Sequence, residues 1–251
     1  MKRESAIQVE AASLEYRVPR HQAGSLKETL VRIAKRGIAY DRLRAVDSVS
    51  FEVEAGEVLG IIGPNGAGKS TLMKLLARVF PPTEGRVVVR GRVSPMIELG
   101  AGFNPEQTGY ENIVLYGTLI GRDIRHMKSR CEAIAEWAGV SDYLHVPLRA
   151  YSSGMVARLA FGIAVDVEPD VLLVDEILSV GDDAFQRKSG ERMRQLIEGG
   201  AAVVLVSHQM QQIRDRADRA IWLDHGRVQS IGKPDEVVDA YLASVEERQA
   251  Q

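Results

Sequence analysis

The stretch Gly63-Pro64-Asn65-Gly66-Ala67-Gly68-Lys69-Ser70-Thr71 has the spacing G-x-x-x-x-G-K-[ST], the pattern of a loop that wraps phosphate. Glycines let successive backbone N–H groups turn inward as an anion-binding nest. A helix starting directly after the loop adds the positive end of its dipole to the same spot. In this pattern Lys69 sets a point charge against the β- and γ-phosphates, and the Ser70 hydroxyl ligates Mg²⁺. The bland alternative is an ordinary Gly-rich strand-to-helix turn. Against it stand the Lys-Ser pair and the flanks: apolar Val58-Leu59-Gly60-Ile61-Ile62 precede the loop, and Leu72 to Ala77 follow with helical spacing.

A second group of residues suits chemistry on the bound phosphates. Val171-Leu172-Leu173-Val174 is an apolar run ending in Asp175-Glu176. Asp175 is placed to hold Mg²⁺, usually through its water, and Glu176 to polarise an attacking water. His208 ends another apolar run, Ala201 to Val206 followed by Ser207, from which it would sense or orient the γ-phosphate. Asp-Glu pairs also occur as solvated strand ends, but the upstream loop favours the chemical role. Tyr16 serves either as a π-face for a nucleotide base or as a strand tyrosine packing on its neighbours.

These residues need elements to position them. Both apolar runs read as strands buried on two faces, the mark of a parallel sheet. Chemistry then gathers beyond the carboxyl ends of the strands, where the loop, Asp175-Glu176 and His208 all fall. Residues 7–18 and 46–54 alternate as half-buried strands, 86–90 is a further strand, and 95–110 reads as a Gly- and Pro-rich loop. From Glu111 to Gly139 the pattern is helical, and 105–166 reads as a helical subdomain inserted into an α/β core formed by 1–104 and 167–251. Residues 220–224 and 228–231 suggest a closing hairpin around His225-Gly226-Arg227, and 234–248 a final helix. Residues 17–44 look like a basic insertion, with a capping box at Ser25–Glu28, Leu26, Leu30, Ile33 and Ala34 on one helical face, and Gly37 as a stop. That helix lies on a membrane surface or a partner, or it is a solvated helix packed on its own domain.

With 251 residues, 45% hydrophobic and 26% charged, the composition is that of a globular α/β protein. A formal net charge of −2 gives no global pull towards nucleic acid. No apolar run reaches the roughly 18 residues of a membrane span, and no signal-peptide core follows the N-terminus, so a cytosolic chain is expected. Cys131 is the one cysteine, which excludes an internal disulfide; in a helical pattern it reads as a buried, inert thiol.

Taken together, the motifs resemble the ATP-binding subunit of an ABC transporter over essentially the whole chain. Tyr151-Ser152-Ser153-Gly154-Met155 stands where that family has its L-S-G-G-Q signature, with Ser153 in place of the first glycine and Met155 in place of the glutamine. Asp175-Glu176 matches the end of the Walker B strand, Ser179-Val180-Gly181-Asp182 the D-loop, His208 the switch histidine, and Tyr16 the adenine-stacking aromatic. Glu98 or Leu99 falls where the family has its loop glutamine. The run 175–182, Phe185 to Lys188, Glu98 to Phe103 and the basic insertion are similar to exporters of bacterial polysaccharides: O-antigen, capsule and teichoic acid.

The resemblance implies a P-loop NTPase fold: a RecA-like α/β core sheet with an inserted helical subdomain and an antiparallel β subdomain. It implies an ATPase using ATP and Mg²⁺, acting as a head-to-tail homodimer. Each ATP would lie between the loop of one subunit, residues 63–71, and Ser152, Ser153 and Gly154 of the other, with Asp182 at the same seam. The partners implied are integral-membrane permease subunits, with a polysaccharide cargo passing through them and no nucleic acid, at the cytoplasmic face of the bacterial inner membrane. Alternatives are another cargo, such as a lipid or small molecule, or a soluble ABC-type ATPase acting on DNA or ribosomes.

Overall fold

The computed structural model describes residues 5–19, 40–96, 100–166, 168–175 and 182–249. Two sheets and a helical layer make up the described structure, and the loop at 63–71 leaves the larger sheet. The larger sheet has six strands in the order β5-β6-β7-β3-β8-β9: β3 is Val58–Ile62, β5 Val93–Met96, β6 Val171–Asp175, β7 Ala202–Val206, β8 Arg219–Asp224 and β9 Arg227–Gly232. All neighbours are parallel except β8 and β9, which form the hairpin expected from the sequence. A smaller antiparallel sheet of β1 (Ser5–Pro19), β2 (Tyr40–Glu54) and β4 (Glu84–Val89) runs in the order β2-β1-β4.

The central strands carry apolar side chains on both faces, and successive residues divide between two cores. Leu59, Ile61, Val171, Leu173, Val204 and Val206 pack with the inward residues of the smaller sheet. Helix α1 (Lys69–Leu76) adds Leu72, Met73, Leu75 and Leu76 to the same core. Burying each such side chain stabilises by about 1.5–3 kcal/mol, so the helix that follows the loop is fixed at its far side. Val58, Ile62, Leu172, Val174, Val203 and Leu205 point the other way. There they meet α5 (Asp183–Glu198), α6 (Met210–Arg216) and α7 (Pro234–Gln249), through Met193, Leu196, Ile213, Val237 and Val238.

Helices α2 (Gly109–Leu119), α3 (Ile124–Ala138) and α4 (Ser153–Val165) share a third core around Ile113, Tyr116, Met127, Ile134, Leu159 and Ile163. The helical stretch expected from 111 to 139 is thus two helices. Gly121, at φ 85°, breaks it, and Asp123 caps the second helix by accepting from His126 N–H. Thr108 and Glu111 form a reciprocal capping box on α2, and the Thr108 N–H and hydroxyl hold the Glu111 carboxyl below the usual carboxylate range. Cys131 is 1% exposed, and burial pushes its thiol up to about 11, as suits an inert group. Trp137 ties this layer to α5: it stacks on Phe161 at 5.7 Å and meets Phe185 edge-on at 5.4 Å.

Two expectations change. Residues 93–96, expected in part as loop, form β5; Pro95 has no N–H to donate, but β5 is an edge strand and tolerates it. The insertion expected at 17–44 is strand at both ends. β1 and β2 stay paired through Tyr16↔Leu43, Arg17↔Arg42, Val18↔Asp41 and Pro19↔Tyr40. Exposed charge had hidden these strands, because a ribbon with solvent around it needs no apolar alternation. The basic helix read at 25–37 lies outside the described residues, as do Glu98 and Leu99.

Candidate functional site

Register brings the chemistry to one row. Asp175, the last residue of β6, is level with Val206 of β7, and Val206 with Ile61 of β3. The loop leaves β3 two residues after Ile61, and His208 lies two residues after Val206. Loop, carboxylate and histidine therefore leave adjacent parallel strands at their carboxyl ends, as a doubly wound sheet requires of its site.

A cleft of about 370 Å³ opens there, lined by residues 65–71, Asp175, Val206 and His208, with Tyr16, Leu43 and Ala45 as its far wall. Tyr16 and Leu43 are directly paired across β1 and β2, so an aromatic face and an aliphatic one stand side by side. Phe80 supports the tyrosine edge-on at 5.8 Å. Leu43, Ala45 and Val206 were not singled out in the sequence; Leu43 lay inside the stretch read as insertion, where pairing with Tyr16 is invisible without the strand register.

The loop is shaped to receive an anion. Gly63, Gly66 and Gly68 all have positive φ, and a Cβ added at Gly63 or Gly68 would lie 2.0 Å from Leu223 O or 2.3 Å from Ala45 O. The backbone passes where no side chain fits. Gly68 caps α1 with no side-chain hydrogen bond, and the first turn carries no acidic residue. A helix start of this kind, with no acidic side chain of its own, favours an anion. Lys69, 7% exposed, donates from Nζ to Gly63 O at 2.7 Å and Pro64 O at 2.9 Å. Those two bonds fold the ammonium back under the loop, so Gly63 and Pro64 serve the site as acceptors while residues 65–71 line it.

The β8–β9 turn braces the loop from behind. Gly226 N–H donates to Ala67 O, and Gly226 O accepts from Asp47 N–H, both at 2.8 Å. The guanidinium of Arg44, and then that of Arg227, hold the Asp47 carboxyl below the usual carboxylate range. Just after β7, Gln209 N–H donates to Ser207 Oγ at 3.1 Å, setting the turn that carries exposed His208.

The remaining expected residues are elsewhere. Ser152 caps α4, accepting from Met155 N–H, and Ser152 and Ser153 are exposed at that helix start. Asp182 caps α5, accepting from Phe185 N–H at 2.9 Å. None of Ser152, Ser153, Gly154 or Asp182 lines the cleft of its own chain. Glu176 and Ser179 to Gly181 lie outside the described residues. The donor set fits magnesium: one carboxylate and one hydroxyl, Asp175 and Ser70, line the same cleft. Mg²⁺ takes few protein ligands and completes its shell with phosphates and water.

Residues 46–179 match the sequence model of the family described as ABC transporter. The chain is 41% identical over 224 residues to an O-antigen export system ATP-binding protein of Klebsiella pneumoniae, covering 88% of this chain and 91% of that one. It is 40% identical over 203 residues to a teichoic acids export ATP-binding protein of Bacillus cereus, covering 81% of this chain and 37% of that one. Its fold resembles a dimeric ATP-binding cassette solved in a post-hydrolysis state with ADP and Pi, at TM-score 0.68 and 21% identity, covering 91% of this chain and 98% of that chain. No helix among the described residues is long and apolar enough to cross a membrane.

Proposed function

Because the chain belongs to the ABC transporter family, we propose that it is the ATP-hydrolysing subunit of a polysaccharide exporter, of the O-antigen, capsule or teichoic acid kind. It would act at the cytoplasmic face of a bacterial inner membrane against a separate permease. The observation that carries the enzymatic part is the row of β3, β6 and β7 ends beside the start of α1, which has no side-chain cap, and a cleft of about 370 Å³. The cargo rests on the relatives' names.

The triphosphate lies along the loop, against the amides of 66–71 and Lys69. The base stacks on the face of Tyr16, with Leu43 beside it. Ser70 and Asp175 would hold Mg²⁺, which would supply charge neutralisation to the phosphates. Glu176 accepts a proton from a water that attacks the γ-phosphorus. The bond to the β–γ bridging oxygen breaks, and ADP leaves with that electron pair. His208 orients the γ-phosphate. A second copy completes the enclosure with its 152–154 turn and Asp182, which explains why these exposed helix caps stand apart from the cleft of their own chain. Ser153, in a position where the family has glycine, donates a hydroxyl to a phosphate oxygen.

The test is ATP-dependent association. With ATP and EDTA, which blocks hydrolysis, the purified chain should sediment as a dimer, and with ADP as a monomer. Ser153→Arg should remain monomeric with ATP while binding it normally, because a guanidinium stem at that exposed cap obstructs the seam. Dimerisation of Ser153→Arg to the normal extent would overturn the shared site. Export itself is read in cells: loss of the chain should leave the finished glycan inside the membrane.

Stacking on an aromatic face contributes about 1–3 kcal/mol per base. Tyr16→Ala should therefore raise the ATP Kd roughly tenfold in a fluorescence titration, and Tyr16→Phe should leave it within about twofold.

A further inference from the structure

The turn that braces the phosphate loop is itself held from the end of the last helix. β8 finishes on Asp224, whose side chain is 7% exposed. Its Oδ2 accepts from Arg248 Nη2 at 2.6 Å, across from the last turn of α7. Its Oδ1 is buried with no hydrogen-bond partner, and His225 Nε2 stands 3.9 Å away. Two more polar atoms of this hairpin, Trp222 Nε1 and Ser230 Oγ, are buried without partners, and their residues are directly paired across β8 and β9. Tyr241 of α7 meets Trp222 edge-on at 5.8 Å. A carboxylate in so poorly solvated a place needs its cation, because a buried charge left alone is strongly unfavourable.

One residue beyond Asp224 the chain enters a turn with no slack. His225 and Gly226 have φ 47° and 77°. A Cβ on Gly226 would come within 2.8 Å of Ala45 O. The Gly226 N–H holds Ala67 O, and that carbonyl shares its peptide plane with the Gly68 N–H, so it sets where the Gly68 amide points. Leu223 O closes on Gly63 from the same side.

We propose that Arg248 is a positioning residue for the phosphate loop, acting through Asp224 and the His225–Gly226 turn on the carbonyl of Ala67. Arg248 touches no nucleotide. It fixes the height of β8, and so the aim of the loop amides at the phosphates. The inference rests on the nucleotide-binding reading above.

The test uses the full chain, with ATP affinity measured in EDTA and thermal stability measured alongside. Arg248→Ala should raise the ATP Kd at least fivefold, and Arg248→Lys, which restores a cation, should return it to within about twofold of the parent. Asp224→Asn is the safeguard against misfolding, since it leaves no buried charge behind; it should raise Kd by a similar factor. The double variant should bind no worse than the weaker single, because both changes cut one path. A lowered melting temperature with Kd unchanged in Arg248→Ala and Asp224→Asn would overturn the proposal, as would additive effects in the double variant. Failure of the parent chain to bind ATP would instead sink the nucleotide reading and leave this path unrelated to it.

Discussion

Glu176→Gln is expected to lower steady-state ATP turnover by about 10²–10⁴-fold, the range for losing a positioned general base. The amide keeps the size of the carboxylate and one of its acceptor oxygens, but it takes no proton from water. Affinity for ATP should hardly change, because the proposed contacts to the phosphates come from the loop at 63–71, Lys69 included, and not from Glu176. The variant should therefore accumulate as a dimer in ATP and Mg²⁺, where the parent cycles back to monomer. Phosphate release and size exclusion chromatography check the two halves of this expectation. Normal turnover in Glu176→Gln would move the base to another residue.

Lys69→Ala has the other large effect, and it acts on binding. The ammonium bonds Gly63 O and Pro64 O, closing the loop on itself while standing 7% exposed beneath the cleft. Its loss removes the loop's buried cation and leaves those two carbonyls without that donor. Hydrogen bonds to charged groups contribute about 1.5–3 kcal/mol each. Losing those to phosphate should weaken ATP binding by roughly 10²–10³-fold. Isothermal titration with ATP in EDTA measures it directly. Lys69→Arg should not rescue, because the planar guanidinium is too wide for a space set by two backbone carbonyls. An affinity for ATP in Lys69→Ala within threefold of the parent would take the phosphates off this loop.

The site was legible where residue type and strand period agree. The loop, Asp175 and His208 follow apolar runs whose two-sided burial demands a parallel sheet, and the register then sets Asp175, Val206 and Ile61 in one row. What escaped was set by pairing over distance. Leu43 joins the cleft because β2 begins at Tyr40, and nothing in the sequence around Asp41, Arg42 and Arg44 alternates as a buried strand does. β5 escaped because Pro95 argues against a strand unless its position at the sheet edge is known. The polar surface of α5 hid its packing, which rests on Phe185, Met193 and Leu196. The bracing of Ala67 by Gly226 joins residues far apart in sequence, and neither type announces it.

The placing of the aromatic side chains equips the molecule with its own spectroscopic labels. The chain has two tryptophans. Trp137 is clasped between Phe161 and Phe185, with the Lys188 ammonium 4.9 Å from its ring, where the helical layer meets α5. Trp222 sits under the last helix, two residues from Asp224. Replacing either by phenylalanine leaves a single indole whose emission and quenching follow one joint alone. One form would watch the helical layer during the ATP-dependent pairing of two copies proposed above. The other watches the C-terminal helix, with no dye attached.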